Sequence, residues 1–376
     1  MIKFEFTKDY ENKYINKKDE VLDKFNTYEM TGWKDKVILN DKILDKVKEV
    51  KSNSKLLLVI GVGGSFLGSK ALYDLFNPYF DTNFEVLYCG YTLSSNYLSD
   101  LIEYINKYDY SINVISKSGG TKEILKTYEL IKNEMIKKYD EDELKKRIII
   151  TTGTKGKLYE EATSNGYTLL NIPDNIGGRY SMMTDAHLFP LAFNIDVNKL
   201  IDGYNEFNLI DEAYEYASVR KTLYDNNKLI EDYIFYEEKY TMFGEWLKQL
   251  FAESEGKNGK GIFPVSSMFS RDLHSLGQFI QEGSKILFET IITVNKNKEL
   301  SDLIDTNKKI IEGVKTAHKK GDVSINTIEI DELNEYNIGL LIKFFFYAAS
   351  YSSILFGVNP FDQPGVEKYK EEIEKL

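Results

Sequence analysis

The run Leu56-Leu57-Leu58-Val59-Ile60 passes without a polar residue into Gly61-Val62-Gly63-Gly64-Ser65-Phe66-Leu67-Gly68. Five consecutive apolar residues with no alternation suit a strand buried on both faces, and such strands belong to parallel sheets covered by helices on both sides. The glycines allow a tight turn with backbone N–H groups turned outward. A helix expected over about 68–80 would aim the positive end of its dipole at whatever sits on that turn, which favours phosphate. Two nucleotide-binding patterns come close and fail. The dinucleotide pattern G-x-G-x-x-G meets Phe66 where it needs its third glycine, and the P-loop pattern matches Gly63 and Gly68 but then meets Ser69-Lys70 in reversed order. A strand-to-helix turn with only a packing role stays open at this point.

From Leu56 onward, strand and helix patterns alternate. Strands are expected at 56–60, 84–89, 112–115, 147–151 and 167–170, with helices near 68–80, 95–107, 121–138 and 155–164. That order means a parallel sheet with helices on both faces. A second series of apolar runs follows at Tyr233–Tyr236, Gly261–Val265, Ile286–Val294 and Val323–Ile330, with a long helix near 335–353, and reads as a second α/β unit. Residues 1–50 read as packing helices, 51–195 as the first α/β domain, 196–350 as the second with its connecting helices, and 351–376 as a C-terminal segment.

Composition narrows the partners. The 376 residues carry 48 Lys plus Arg against 59 Asp plus Glu, and a net charge of −11 disfavours nucleic acid and anionic membrane. The lone Cys89 forms no intrachain disulfide, and three histidines argue against a His-rich metal site. The N-terminus lacks a signal-peptide core. No apolar run reaches the roughly 18 residues of a membrane span, since Ile338–Phe346 is interrupted by Lys343. A cytoplasmic protein is expected.

Ligands of parallel sheets collect at the carboxyl ends of the strands. There the chain places Ser116-Lys117-Ser118-Gly119-Gly120-Thr121, in which three hydroxyls, a lysine and a helix N-terminus suit a phosphate better than the single hydroxyl of a helix cap. Next comes Asp174-Asn175-Ile176-Gly177-Gly178-Arg179-Tyr180-Ser181, a glycine-hinged loop offering one arginine, either solvated or set against developing negative charge. Glu253 and Glu255 end a helix whose buried face is Phe243, Trp246, Leu247 and Leu250. Acidic residues at a helix C-terminus oppose the dipole, which marks one of the two as a functional candidate beside a solvated-loop reading. His274 and Lys370 are further candidates, although a lone histidine is more often structural than catalytic. Lys370 follows Val366 by four residues and is expected to share its inward face, with a solvated tail lysine as the alternative.

Taken together, Asp174–Ser181 with its Gly-Gly-Arg-Tyr-Ser core and Ser353–Lys370 with Phe-Asp-Gln-Pro-Gly-Val-Glu-x-x-Lys resemble the signatures of the phosphoglucose isomerase family, over a stretch from about Leu56 to the end. The resemblance implies two sugar-isomerase (SIS-type) α/β domains, each a mostly parallel sheet flanked by helices. It also implies a homodimer, no metal or organic cofactor, and interconversion of glucose 6-phosphate and fructose 6-phosphate. It places Gly64, Ser65, Ser116, Lys117, Ser118 and Thr121 at the phosphate, Gln363 at the substrate, and Arg179 near the reacting carbons. Glu253 falls at the base that moves a proton between C2 and C1 through a cis-enediolate. His274 and Lys370 fall at the ring-opening pair, with His274 reaching the partner subunit's site. Gly120 stands where many members have threonine, and Asp185 where a small residue is common. Two other functions remain: a non-catalytic SIS-type sugar-phosphate-binding regulator, and an isomerase of another sugar phosphate.

Overall fold

The computed structural model describes residues 1–80, 82–296 and 300–375. In chain order the elements are β1 (Ile2–Glu5), α1 (Lys18–Phe25), α2 (Asp41–Asn53), β2 (Leu56–Ile60), α3 (Leu67–Phe76), β3 (Glu85–Cys89), α4 (Ser95–Ile105), β4 (Tyr110–Ser116), α5 (Lys122–Lys138), α6 (Glu141–Arg147), β5 (Ile148–Thr152), α7 (Lys157–Asn165) and β6 (Thr168–Asn171). They continue as α8 (Asp185–Leu191), α9 (Val197–Asn205), α10 (Ile210–Asp225), β7 (Ile230–Phe235), α11 (Thr241–Glu255), β8 (Phe263–Met268), α12 (Leu273–Glu282), β9 (Leu287–Lys296), α13 (Ser301–Lys320), β10 (Ser324–Glu332), α14 (Glu335–Leu355) and α15 (Pro364–Glu374).

Residues 29–201 form one unit around a sheet ordered β3-β2-β4-β5-β6. All its pairings are parallel, with Ile60 opposite both Cys89 and Val114. Every side chain of β2 is buried, as the unbroken apolar run requires. One face packs on α4, α5 and α7 through residues such as Leu101, Ile131 and Leu158, while α3 packs against α8 and α2 against α8. The chain therefore leaves β2 toward β3 with α3 on one face, and leaves β4 toward β5 with α5 on the other. Loops that diverge in this way open a crevice at the carboxyl ends of β2 and β4, where ligands of such sheets bind. The two expected loops, 61–66 and 117–121, flank that crevice.

Residues 1–28 and 202–376 form the second unit, whose sheet runs β1-β10-β9-β7-β8. Its pairings are parallel except for β1, which lies antiparallel along β10 at the edge. The expectation that residues 1–50 are packing helices ahead of the first sheet is thus corrected. Ile2 to Glu5 is a strand, with Phe4 stacked on Phe344 at 4.6 Å. Its partner lies more than three hundred residues away, so nothing local betrays it. The expected boundaries shift with it: residues 1–28 and 351–376 belong to the second unit, and 29–50 to the first.

The helix α14 corrects a second expectation. Glu335–Leu355 is long and apolar enough to cross a membrane by length and composition. It is also a core helix: 83% of its most apolar window is buried inside the protein, packed on α10, α11 and α1. Lys343 is tolerated there at 6% exposure, with its ammonium 4.5 Å from the centre of the Tyr204 ring, a cation–π placement.

Candidate functional site

In the first unit the opening glycine loop and the arginine loop are pressed together. Gly63 has φ +54°, and a Cβ at Gly64 would fall 2.4 Å from the carbonyl carbon of Gly178, so neither the turn nor the approach admits a side chain there. The Ser181 hydroxyl reaches both the Gly178 carbonyl, at 2.7 Å, and the Gly64 carbonyl, at 3.1 Å. Ser65 is half-buried on the short turn between them.

The second loop grows out of β4. Ser116 ends the strand, 2% exposed, and its Oγ accepts the Gly119 N–H at 3.1 Å; the Ser118 Oγ accepts the Gly120 N–H at 3.3 Å. These bonds shape the loop and leave each hydroxyl proton available to a ligand. Thr121 occupies the N-cap position of α5, but its side chain makes no capping bond. The helix-cap alternative therefore fails for this residue, and the 17-residue helix presents its N-terminus beside the hydroxyls.

Lys117 departs from expectation. Rather than standing over the loop as a phosphate ligand, its ammonium donates to the carbonyls of Asp174 and Ile176, each at 2.9 Å. Burial lowers its pKa, with Asp174 opposing the shift. Two carbonyls hold the lysine as a tie between the hydroxyl loop and the segment leading to Arg179. Arg179 itself is 1% exposed, so the solvated reading is set aside. Its guanidinium carbon lies 5.5 Å from the centre of the Tyr180 ring, and Tyr180 stacks on Trp33 with centroids 5.4 Å apart. Asp185 also acquires a role: its Oδ2 accepts from the Asn40 amide at 2.8 Å and the Asn171 backbone at 3.3 Å, joining the start of α2 to the end of β6.

In the second unit, two neighbouring acids part company. Glu255 is fully buried and pairs with Arg220, whose Nη2 lies 3.2 Å from Glu255 Oε2 and whose Nε lies 2.6 Å from Glu231 Oε2. Arg220 also donates to Ser352 at 2.7 Å and packs its guanidinium 4.1 Å from the centre of the Phe251 ring. Burial works against the charge on Arg220, but Glu231 and Glu255 hold its pKa well above the usual value. Glu253, two residues earlier, is half-buried at the end of α11 and accepts from Gln249 at 3.0 Å. Glu255 is thus a structural counter-ion, and Glu253 remains the candidate base.

Lys257 bridges this helix end to the segment before Gln363, donating to the Ser254 carbonyl at 3.0 Å and pairing with Asp362 at 2.9 Å. Gln363 is half-buried just ahead of α15. His274, in the first turn of α12, is exposed. Lys370 is exposed too, so it does not share an inward face with Val366. Among the described residues no hydrogen bond joins His274 or Lys370 to another candidate, and no group of three or more His, Cys, Asp or Glu residues is placed to hold a metal ion.

One residue of the first unit escaped the sequence reading. His187, on α8, is 1% exposed and reaches both the Gly64 carbonyl and the Ser69 backbone N–H. Apart from the scarcity of histidine in this chain, no spacing or pattern points to it.

A family model described as phosphoglucose isomerase matches residues 29–312. A glucose-6-phosphate isomerase of Streptococcus gordonii is 42% identical, covering 89% of this chain and 83% of that protein; one of Streptococcus mutans is 40% identical, covering 100% and 96%. The crystal structure of a glucose-6-phosphate isomerase from Chlamydia trachomatis shares the fold with a TM-score of 0.82 at 17% identity, covering 100% of this chain and 88% of that one. The chain belongs to the phosphoglucose isomerase family.

Proposed function

We propose that this chain interconverts glucose 6-phosphate and fructose 6-phosphate. The observation that carries the reading is Glu253, a carboxylate kept out of the Arg220 ion pair that absorbs Glu255, in a chain of this family that also keeps the hydroxyl loop and a buried arginine. A binding module would need the loop but not the carboxylate. The phosphate sits over the α5 N-terminus, held by the hydroxyls of Ser65, Ser116, Ser118 and Thr121 and by close backbone approach at Gly64. Gln363 contacts the sugar. His274 and Lys370 move protons between the ring oxygen and the anomeric hydroxyl to open the ring. Glu253 takes the proton from C2 and returns it to C1, and the Arg179 guanidinium stabilises the enediolate oxygen between those steps. Anchoring the phosphate away from C1 and C2 supplies the positioning.

The same reading makes the protein a cytoplasmic homodimer that needs no cofactor. His274 is contributed across the interface, in keeping with its exposure in the single chain.

The test is to incubate folded protein with fructose 6-phosphate and follow glucose 6-phosphate, alongside Glu253→Gln. The wild type turns over, and the variant loses about 10²- to 10⁴-fold in kcat while still binding sugar phosphate. An inactive, folded, dimeric wild type sinks the isomerase reading. A fully active Glu253→Gln moves the base elsewhere. Faster turnover on mannose 6-phosphate or glucosamine 6-phosphate makes the chain an isomerase of that sugar instead.

A further inference from the structure

His187 carries an inference beyond the family's reaction. Its Nδ1 lies 2.9 Å from the backbone nitrogen of Ser69. A backbone N–H can only donate, so Nδ1 is the unprotonated nitrogen and the ring proton is on Nε2. That nitrogen faces the Gly64 carbonyl at 2.8 Å, to which it donates, with the Ser181 hydroxyl 3.2 Å away. Both ring nitrogens are therefore satisfied by a neutral imidazole. Burial favours the same state by lowering the histidine pKa to about 4.

The two partners lie at opposite ends of one structure. Gly64 is in the middle of the glycine turn, and Ser69 is in the first turn of α3, the helix that follows it. The imidazole spans turn and helix like a clamp, and Gly68 makes room for it: a Cβ there would lie 3.1 Å from His187 Cε1 and 3.2 Å from Nδ1. On its far side the Gly64 backbone touches Gly178, next to Arg179. Nothing soft separates the ring from the loop that faces the ligand, so a displacement at His187 reaches Ser65 directly.

We propose that His187 is a positioning residue: its neutral ring fixes the Gly61–Gly68 turn, through the Gly64 carbonyl and the Ser69 N–H, in the one setting that binds the substrate phosphate. Because the phosphate is held equally before and during the reaction, loosening the clamp weakens binding more than it slows the chemical step.

Two variants separate this role from plain packing. In His187→Gln the side-chain amide still offers one donor and one acceptor, enough for both partners. In His187→Asn the shorter side chain keeps the Ser69 bond but falls short of Gly64. Calorimetric titration with inorganic phosphate reads the clamp without turnover, and steady-state kinetics on fructose 6-phosphate read it with turnover. In His187→Asn the phosphate Kd and the KM both rise about tenfold, with kcat changing by less than about threefold; in His187→Gln both constants stay within about threefold of wild type. Equal Kd values in the two variants, or a loss confined to kcat, overturn the proposal. Should His187→Asn fail to fold, the glutamine variant decides alone: wild-type-like Kd sustains the clamp and a tenfold weaker Kd removes it. The kinetic arm rests on the isomerase reading and the calorimetric arm does not, so a wild type that binds phosphate without turnover refutes the activity and leaves the clamp testable.

Discussion

The inner strands of the two sheets are built on different terms. β2 buries five apolar side chains and nothing else, whereas β7 buries Glu231 and Asp232 on opposite faces, at 0% and 3% exposure. Glu231 is met on its side by Arg220 at 2.6 Å, Thr290 at 2.7 Å and Tyr233 at 3.0 Å. Asp232 is met on the other side by the Ser267 hydroxyl at 2.7 Å, and it stands in register with Glu289 of β9, which binds His318 at 2.8 Å. Asp232 Oδ1 and Glu289 Oε2 find no hydrogen bond among the described residues. The first sheet carries no such charge on β2 or β4, and its two candidate phosphate loops, built of backbone and hydroxyls, follow the carboxyl ends of those inner strands. The charged sheet needs dedicated counter-ions from α10, α11 and α13 to exist at all, and its candidate carboxylate emerges next to one of them. Unpaired interior charge is costly, so the second unit is the more brittle of the two.

The largest test of that contrast is Arg220→Met, which leaves the Glu231 and Glu255 carboxylates facing each other in the interior. It is expected to cost about 3–5 kcal/mol, read as a lower denaturation midpoint. An unchanged midpoint breaks the comparison by showing that the carboxylates do not depend on the arginine.

The next test uses pH, because the two units respond in opposite senses. Burial lowers the His187 pKa from 6.5 to about 4, so the folded state binds fewer protons than the unfolded one between those values. Its contribution is complete above 6.5 and is lost as the pH falls through 4. Asp232 is raised from 3.8 to about 7, by burial first, with Ser267 opposing and Glu289, Asp272 and Glu231 adding to the rise. Here the folded state binds more protons, so stability is complete below 3.8 and is lost as the pH rises through 7. Each effect is on the order of 3–4 kcal/mol. Thermal melts from pH 4 to 8 should show His187→Gln removing the acid-side loss and Asp232→Asn the loss toward neutrality. Parallel profiles for wild type and Asp232→Asn would mean that Asp232 is already ionised in the fold.

The smallest expected effect separates a ligand hydroxyl from a cap. Thr121→Val removes a hydroxyl that makes no capping bond, so KM should rise by about five- to thirtyfold, or ~1–2 kcal/mol, with the melting temperature unchanged. A capping role would instead lower stability by about 1 kcal/mol and spare KM.

Much of the first unit was legible because its information is contiguous. An unbroken apolar run, a glycine turn, a hydroxyl loop before a helix and a Gly-Gly-Arg loop each announce themselves within about ten residues, and the observed strands fall within a few residues of those expected. The second unit was legible in outline but not in its polar interior. Glu253 and Glu255 are separated by one residue and by no difference in type, yet one is half-buried and the other is fully buried against Arg220. Lys117 sits in a loop that suits phosphate, and only the approach of the Asp174 and Ile176 carbonyls shows where its ammonium goes.

By itself the sequence determined the alternation of strand and helix and marked the glycine turn and the hydroxyl loop as candidates for a phosphate, because periodicity and turn chemistry act over a few residues at a time. Tertiary structure alone decided which of those residues are spent on the fold. The pairing of β1 with β10, the Arg220 counter-ions, the tie made by Lys117 and the His187 bonds to the opening glycine turn all depend on groups that the chain brings together across many residues. A buried polar atom takes its role from the partner that satisfies it.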